Sequence, residues 1–197
     1  MLQAGAPLVN QQQALEMLHR LDKTAPSARH ALEEFVELLS LEKKYLDLAV
    51  KEVYESALPE TGVFPLDQAK EVLEDLCRAH YLALVTVGNQ ELQLAKMKKA
   101  GIDSALFSKI VVTEKKDKKE HYKAIVEGLG ISAADVFVCG DRVPIDLSPA
   151  KALGFTTIHM RSGRGMMRMG EGQDVDYAIA HLSEIKEILL KSRENDN

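Results

Sequence analysis

At 197 residues, with 46% hydrophobic and 28% charged side chains, the chain has the composition of an ordinary globular protein with room for one α/β domain and a small accessory element. A formal net charge of −5 excludes the basic balance that goes with nucleic-acid binding. No stretch is apolar for long enough to span a membrane and no signal-peptide pattern opens the chain, so a cytoplasmic location is the default; the two cysteines, Cys77 and Cys139, lie in apolar runs and read as reduced core residues.

The first sixty residues read as helices. Leu15, Leu18 and Leu21 share one helical face. After a break at Thr24-Ala25-Pro26-Ser27 a long helical pattern follows, with Leu32, Phe35, Val36, Leu39, Leu46, Ala49 and Val53 recurring at threes and fours. The character changes at Glu60-Thr61-Gly62. An amphipathic helix from Pro65 to Ala79 leads into an apolar strand, Tyr81 to Val87, closed by Gly88-Asn89. A helix from Gln90 to Ala100, a strand from Lys109 to Val112 and a helix from Lys118 to Leu129 follow in turn. Val136-Phe137-Val138-Cys139 is a short apolar run suited to a strand buried on both faces. Phe155 to Ile158 is the next strand, Val175 to Ile179 an edge strand, and Ser183 to Lys191 a terminal helix. Strands alternating with helices predict a Rossmann-like, doubly wound parallel sheet over residues 61–191, with a helical segment at 1–60 and a flexible tail at 192–197.

The chemistry gathers after the Val136–Cys139 strand. Gly140 permits a sharp turn and Asp141 sits just past the strand's carboxyl end, where open α/β sheets bind ligands. Asp146 follows after Arg142-Val143-Pro144-Ile145, with Ser148 as an N-cap and Pro149 at the first helical position. Two carboxylates at one strand end suit a hard cation such as Mg2+; the alternative is that Asp141 caps a turn and Asp146 a helix, with no metal. Thr86, with Gly88 and Asn89 opening a helix, places a hydroxyl and unpaired backbone N–H groups where an anion could sit, or is an ordinary N-cap at Asn89. In the charge run Thr113 to Glu120, a lysine could reach into the cleft and offset phosphate charge.

In this order the features resemble the haloacid dehalogenase-like (HAD) hydrolase superfamily, mostly Mg2+-dependent phosphatases, over residues 58–190. The resemblance implies that Thr86 is the strand-end hydroxyl that binds substrate phosphate, beside Gly88 and Asn89. It implies that Lys116 or Lys118 is the catalytic lysine, and that Asp141 and Asp146 belong to the metal site. It makes the helices before residue 60 similar to a cap. The partner would be a small phosphorylated molecule.

One motif of the family has no counterpart: an apolar first strand ending in D-x-D, whose first Asp is the nucleophile and whose second is the general acid/base. The chain's D-x-D, Asp174-Val175-Asp176, precedes its apolar run instead of following one, and Asp22 and Asp47 lie in helical patterns. The expectation is therefore a truncated, inactive hydrolase with weak or absent Mg2+ binding. The alternatives are a non-catalytic binding or regulatory protein on the same fold, or a split enzyme completed by another chain. In the family the absent strand is central, so its place is left for direct pairing of its neighbours, for residues such as Ala6 to Asn10, for self-association or for a partner strand.

Overall fold

The computed structural model describes residues 10–25, 27–55, 63–114, 117–162 and 172–195. Helix α1 (Gln11–Thr24) starts on a reciprocal cap: the Asn10 side chain accepts from the Gln13 N–H at 2.9 Å, and the Gln13 side chain accepts from the Asn10 N–H at 3.1 Å. Leu21, Ala25 and Ala31 bury together with Met17 and Phe35 packed against them, which joins α1 to α2 (Ala28–Leu38). The long helix expected from Leu32 to Val53 is instead two. Ser40 takes a left-handed conformation (φ 51°), and the chain restarts as α3 (Lys43–Glu55). A single left-handed residue ends a helix without disturbing the spacing of apolar residues on either side, so periodicity alone runs through the break.

Helix α4 (Ala69–Leu76) leads to β1 (Ala83–Val87), which pairs in parallel with β2 (Lys109–Thr113) across the connecting helix α5 (Gln90–Lys99). Helix α6 (Lys119–Leu129) ends on Gly130, whose φ of 65° suits a residue without a Cβ. Strands β3 (Phe137–Gly140), β4 (Thr156–Met160) and β5 (Tyr177–Ile179) form a second parallel ladder in that order. Between β3 and β4 lie a wide π-type turn, Val143–Leu147, and the short helix α7 (Ser148–Lys151). Helix α8 (Ile185–Asn195) continues past the point where the sequence suggests a tail.

Two further apolar clusters lie around the strands among the described residues. Ile158, Met160 and Ile179 pack with Ile185 and Ile188 of α8. Tyr122, Ala150 and Phe155 form the other, and Val85 of β1 and Val138 of β3 lie against it. Parallel strands covered on both faces are expected to bury almost completely, and β4 does: Thr157, Ile158 and His159 are 0%, 1% and 0% exposed. By contrast, no residue of β1 or β3 is fully buried. Among the described residues β1 pairs with β2 alone and β3 with β4 alone, so each has an edge without a strand beside it. Cys139, read from the sequence as a core residue, is consequently exposed, and Cys77 is only half-buried.

Candidate active site at the ends of β1 and β3

Gly140 closes β3, and the turn after it folds back tightly. A Cβ on Gly140 would stand 2.4 Å from the Cβ of Asp146, so the close approach requires glycine. Both oxygens of the returned Asp146 carboxylate accept a hydrogen bond. Its Oδ2 accepts from the Arg142 N–H at 3.0 Å, and its Oδ1 accepts from Lys118 Nζ at 2.6 Å. Lys118 Nζ also donates to the Val85 carbonyl at 2.7 Å. One ammonium thus ties the start of α6 to β1 and to the turn after β3. The Tyr122 hydroxyl, one helical turn along from Lys118, donates to the Asp146 carbonyl at 3.2 Å. Burial, then the Asp146 charge, pushes the Tyr122 phenol well above its usual range, so it serves as a neutral donor.

Asp141 follows Gly140 at the strand end, as the sequence places it. Burial and then the neighbouring Asp146 charge raise its pKa above the ordinary carboxylate value, against the opposing pull of Arg142, its own backbone N–H and Lys118. Cys139 is reachable by solvent, yet its thiol is enclosed by protein on most sides. That enclosure first, and then Asp146 and Asp141, pushes it up to about 12.

Thr86 lies in β1 opposite Val112 and lines a cavity of about 610 Å³ together with Cys139. Two groups after it have partners within the fold. The Gly88 N–H donates to the Thr113 carbonyl at 2.9 Å, and the Asn89 side chain caps α5 by accepting from the Leu92 N–H at 3.1 Å. Strand continuation thus takes the Gly88 N–H, and Asn89 is the N-cap of the alternative reading. Lys116 lies outside the described residues. Ser148 is not an N-cap either. It is itself helical, and its hydroxyl donates to Asp174 Oδ2 at 2.6 Å.

That contact belongs to a separate cluster. The Thr157 N–H donates to Asp176 Oδ2 at 2.9 Å, and Lys151 Nζ donates to Asp176 Oδ1 at 2.5 Å. Burial acts to raise the Asp176 pKa, but the bonds from Lys151 and Thr157 prevail and lower it. The chain's D-x-D is thus a staple holding α7 and β4 to the start of β5. The contacts missing from the sequence reading are the Val85 carbonyl, the Arg142 N–H and the Tyr122 hydroxyl. Only Tyr122 carries a sequence signal, its helical i, i+4 spacing from Lys118.

A Mg2+ site needs several oxygen ligands around one point. Asp141 and Asp146 share a strand end, but both Asp146 oxygens already accept hydrogen bonds, from Lys118 and the Arg142 N–H. No group of three or more His, Cys, Asp or Glu gathers among the described residues. The described residues therefore do not fit the ion as a complete site. No described helix is long and apolar enough to cross a membrane.

A family model described as haloacid dehalogenase-like hydrolase matches residues 7–154. The glyceraldehyde 3-phosphate phosphatase of Methanocaldococcus jannaschii is 30% identical over 112 residues, 55% of this chain and 48% of the relative, so the chain spans about half that protein's length. The fold is similar to that of YfnB from Bacillus subtilis, a HAD hydrolase structure bound to magnesium, with a TM-score of 0.61, 19% identity, and coverage of 93% of this chain and 84% of that one. It is also similar to a HAD phosphatase from Thermococcus onnurineus, with a TM-score of 0.51, 22% identity, and coverage of 89% and 78%. With the family model covering most of its length, the chain belongs to the haloacid dehalogenase-like hydrolases.

Proposed function

We propose that the chain carries the phosphate-handling side of a HAD-type phosphatase for a small phosphorylated molecule, and that by itself it turns nothing over. The observation that carries this reading is the position of Lys118: its ammonium is held between the Val85 carbonyl and Asp146 at the ends of β1 and β3. There a fixed positive charge can offset the charge of a phosphate. Thr86, next in sequence to Val85, is the hydroxyl of this reading, and Lys118, not Lys116, is its lysine. Residues 1–60 act as a cap-like helical segment on a core at 61–191. The phosphatase named among the relatives supports a small phosphate monoester as the substrate class.

The absence of turnover follows from the carboxylates. Forming a phosphoenzyme needs an ionised carboxylate free to attack phosphorus. Asp146 accepts hydrogen bonds on both oxygens, burial and Asp146 hold the Asp141 pKa above the ordinary carboxylate value, and Asp174 and Asp176 are tied to Ser148, Lys151 and Thr157. No described carboxylate at the site is placed to serve. In this reading Mg2+ binding is weak and centred on Asp141, with Asp146 positioning Lys118. A second reading, a non-catalytic binding protein or one part of a split enzyme, is favoured by the edges of β1 and β3 that have no strand beside them among the described residues. The test is purified protein with Mg2+ and a panel of phosphate esters that includes glyceraldehyde 3-phosphate. No turnover above background is expected. Hydrolysis that survives repurification and is abolished by Asp141→Asn would overturn the reading.

A further inference from the structure

A side chain from α5 lies directly over the turn that follows β1. A Cβ built on Gly88 would stand 2.6 Å from Gln93 Nε2. Gln93 lies one turn into α5, where its backbone N–H donates to the Asn89 carbonyl at 3.0 Å, so the capped helix fixes where the side chain starts. The same Nε2 donates to the Val87 carbonyl at 3.4 Å. A carbonyl oxygen only accepts, which decides how the carboxamide is turned: its nitrogen faces the strand end and its oxygen does not.

This amide shares a face of β1 with Thr86. Val85 packs against the cluster of Tyr122, Ala150 and Phe155 on the α6 side. Neighbouring residues of a strand point to opposite faces, so Thr86 looks to the other side, where Gln93, Leu94 and Met97 of α5 line a cavity with it. Lys118, just before α6, takes the Val85 carbonyl, and Gln93 takes the Val87 carbonyl. Donors from two helices thus meet one strand end. A primary amide carries two N–H groups. One is used on Val87, and the half-buried Gln93 side chain has no second hydrogen-bond partner among the described residues.

We propose that Gln93 is a further substrate-binding residue, whose second side-chain N–H donates to a phosphate oxygen at the Thr86 end of β1. This role rests on the phosphate-handling reading of Lys118 and Thr86 and adds one group to that same site. A doubly ionised phosphate offers only acceptors, and a threonine hydroxyl, a lysine ammonium and an amide N–H can all donate to it. The Val87 carbonyl keeps the amide from presenting its oxygen, which would repel the anion. Because that bond is long, the amide can shift toward a ligand at little cost. Gly88 leaves the room: a side chain there would push the amide aside.

Nuclear magnetic resonance of the full chain, titrated with inorganic phosphate against chloride at equal ionic strength, reads the two Nε2 protons of Gln93 separately. The proton turned away from Val87 is expected to shift with phosphate, together with the Thr86 and Lys118 signals, while the proton on Val87 moves little. Gln93→Met keeps the side chain's length and removes the donor. It should weaken phosphate binding by about tenfold, the scale of one hydrogen bond to a charged group. The backbone signals of Val87 and Gly88 in the phosphate-free variant should stay in place. Phosphate that shifts Thr86 and Lys118 but neither Gln93 proton, with Gln93→Met binding as the wild type does, would overturn the role of Gln93 and leave the phosphate-handling reading standing. Weakened binding by Gln93→Met with displaced Val87 and Gly88 signals and unmoved wild-type Gln93 protons would make the side chain a support of the strand end, which also overturns it. If phosphate shifts none of Thr86, Lys118 and Gln93, both readings fall. The wild-type titration decides between these outcomes even where the variant fails to fold.

Discussion

Lys118 and Asp146 form an ion pair at 2.6 Å with side chains only 7% and 6% exposed, although 28 residues separate them in sequence. A buried pair is costly to break from one side, because the partner left behind keeps its charge without its counter-ion. Lys118→Met is expected to lower unfolding stability by about 3–5 kcal/mol. The double variant Lys118→Met/Asp146→Leu removes both charges and should recover part of that loss. Urea unfolding of the two variants measures the difference, and an equal loss in both would argue against the pair as the source.

Gly140→Ala tests the turn that delivers Asp146. The added methyl meets the Asp146 Cβ at 2.4 Å, a contact that side-chain rotation cannot relieve because the Cβ is fixed by the backbone. A loss of about 1–3 kcal/mol is expected from overpacking. Because Asp146 must shift, the Lys118 contacts should loosen with it, which the side-chain NMR signals of Lys118 would register.

Asp141 has a pH dependence of definite sign. Its folded-state pKa is raised, by burial and by Asp146, so the native state binds this proton more tightly than the unfolded chain does. Its contribution to stability is full below the unfolded carboxylate pKa of about 3.9 and is lost as pH rises through the folded value. Asp141→Asn removes that loss. The variant should melt at a higher temperature than the wild type at pH 7, with the gap closing toward pH 4. A melting temperature lowered at pH 7 would mean that the ionised carboxylate is stabilised in the fold.

His159 is fully buried, and neither ring nitrogen has a hydrogen-bond partner among the described residues. It pairs in register with Gly140, so its surroundings adjoin the turn that holds Asp146. A buried polar group without a partner costs about 1–3 kcal/mol, and an apolar residue of similar size escapes that cost. His159→Leu is therefore expected to be neutral or to stabilise by about 1 kcal/mol in thermal or urea unfolding. A clear loss would show that the imidazole has a partner, such as a buried water.

Alternation of apolar runs with amphipathic helices was enough to determine an α/β chain with parallel strands, because crossover helices dictate parallel pairing and local spacing dictates each element. Gly140, Asp141 and Asp146 were legible as a strand-end group, since a glycine turn and two acids after an apolar run lie within seven consecutive positions. Other features depended on groups far away along the chain. Lys118 finds its acceptors 33 and 28 residues off, at Val85 and Asp146, and no local pattern encodes that meeting. The same distance effect turned Asp146 from a free carboxylate into the anchor of a lysine, and turned Asp174 and Asp176 into a staple on Ser148, Lys151 and Thr157. It also left Cys139 exposed in a run as apolar as any core strand: composition sets how much a strand gains by burial, but only the neighbours that tertiary structure supplies decide whether it is buried.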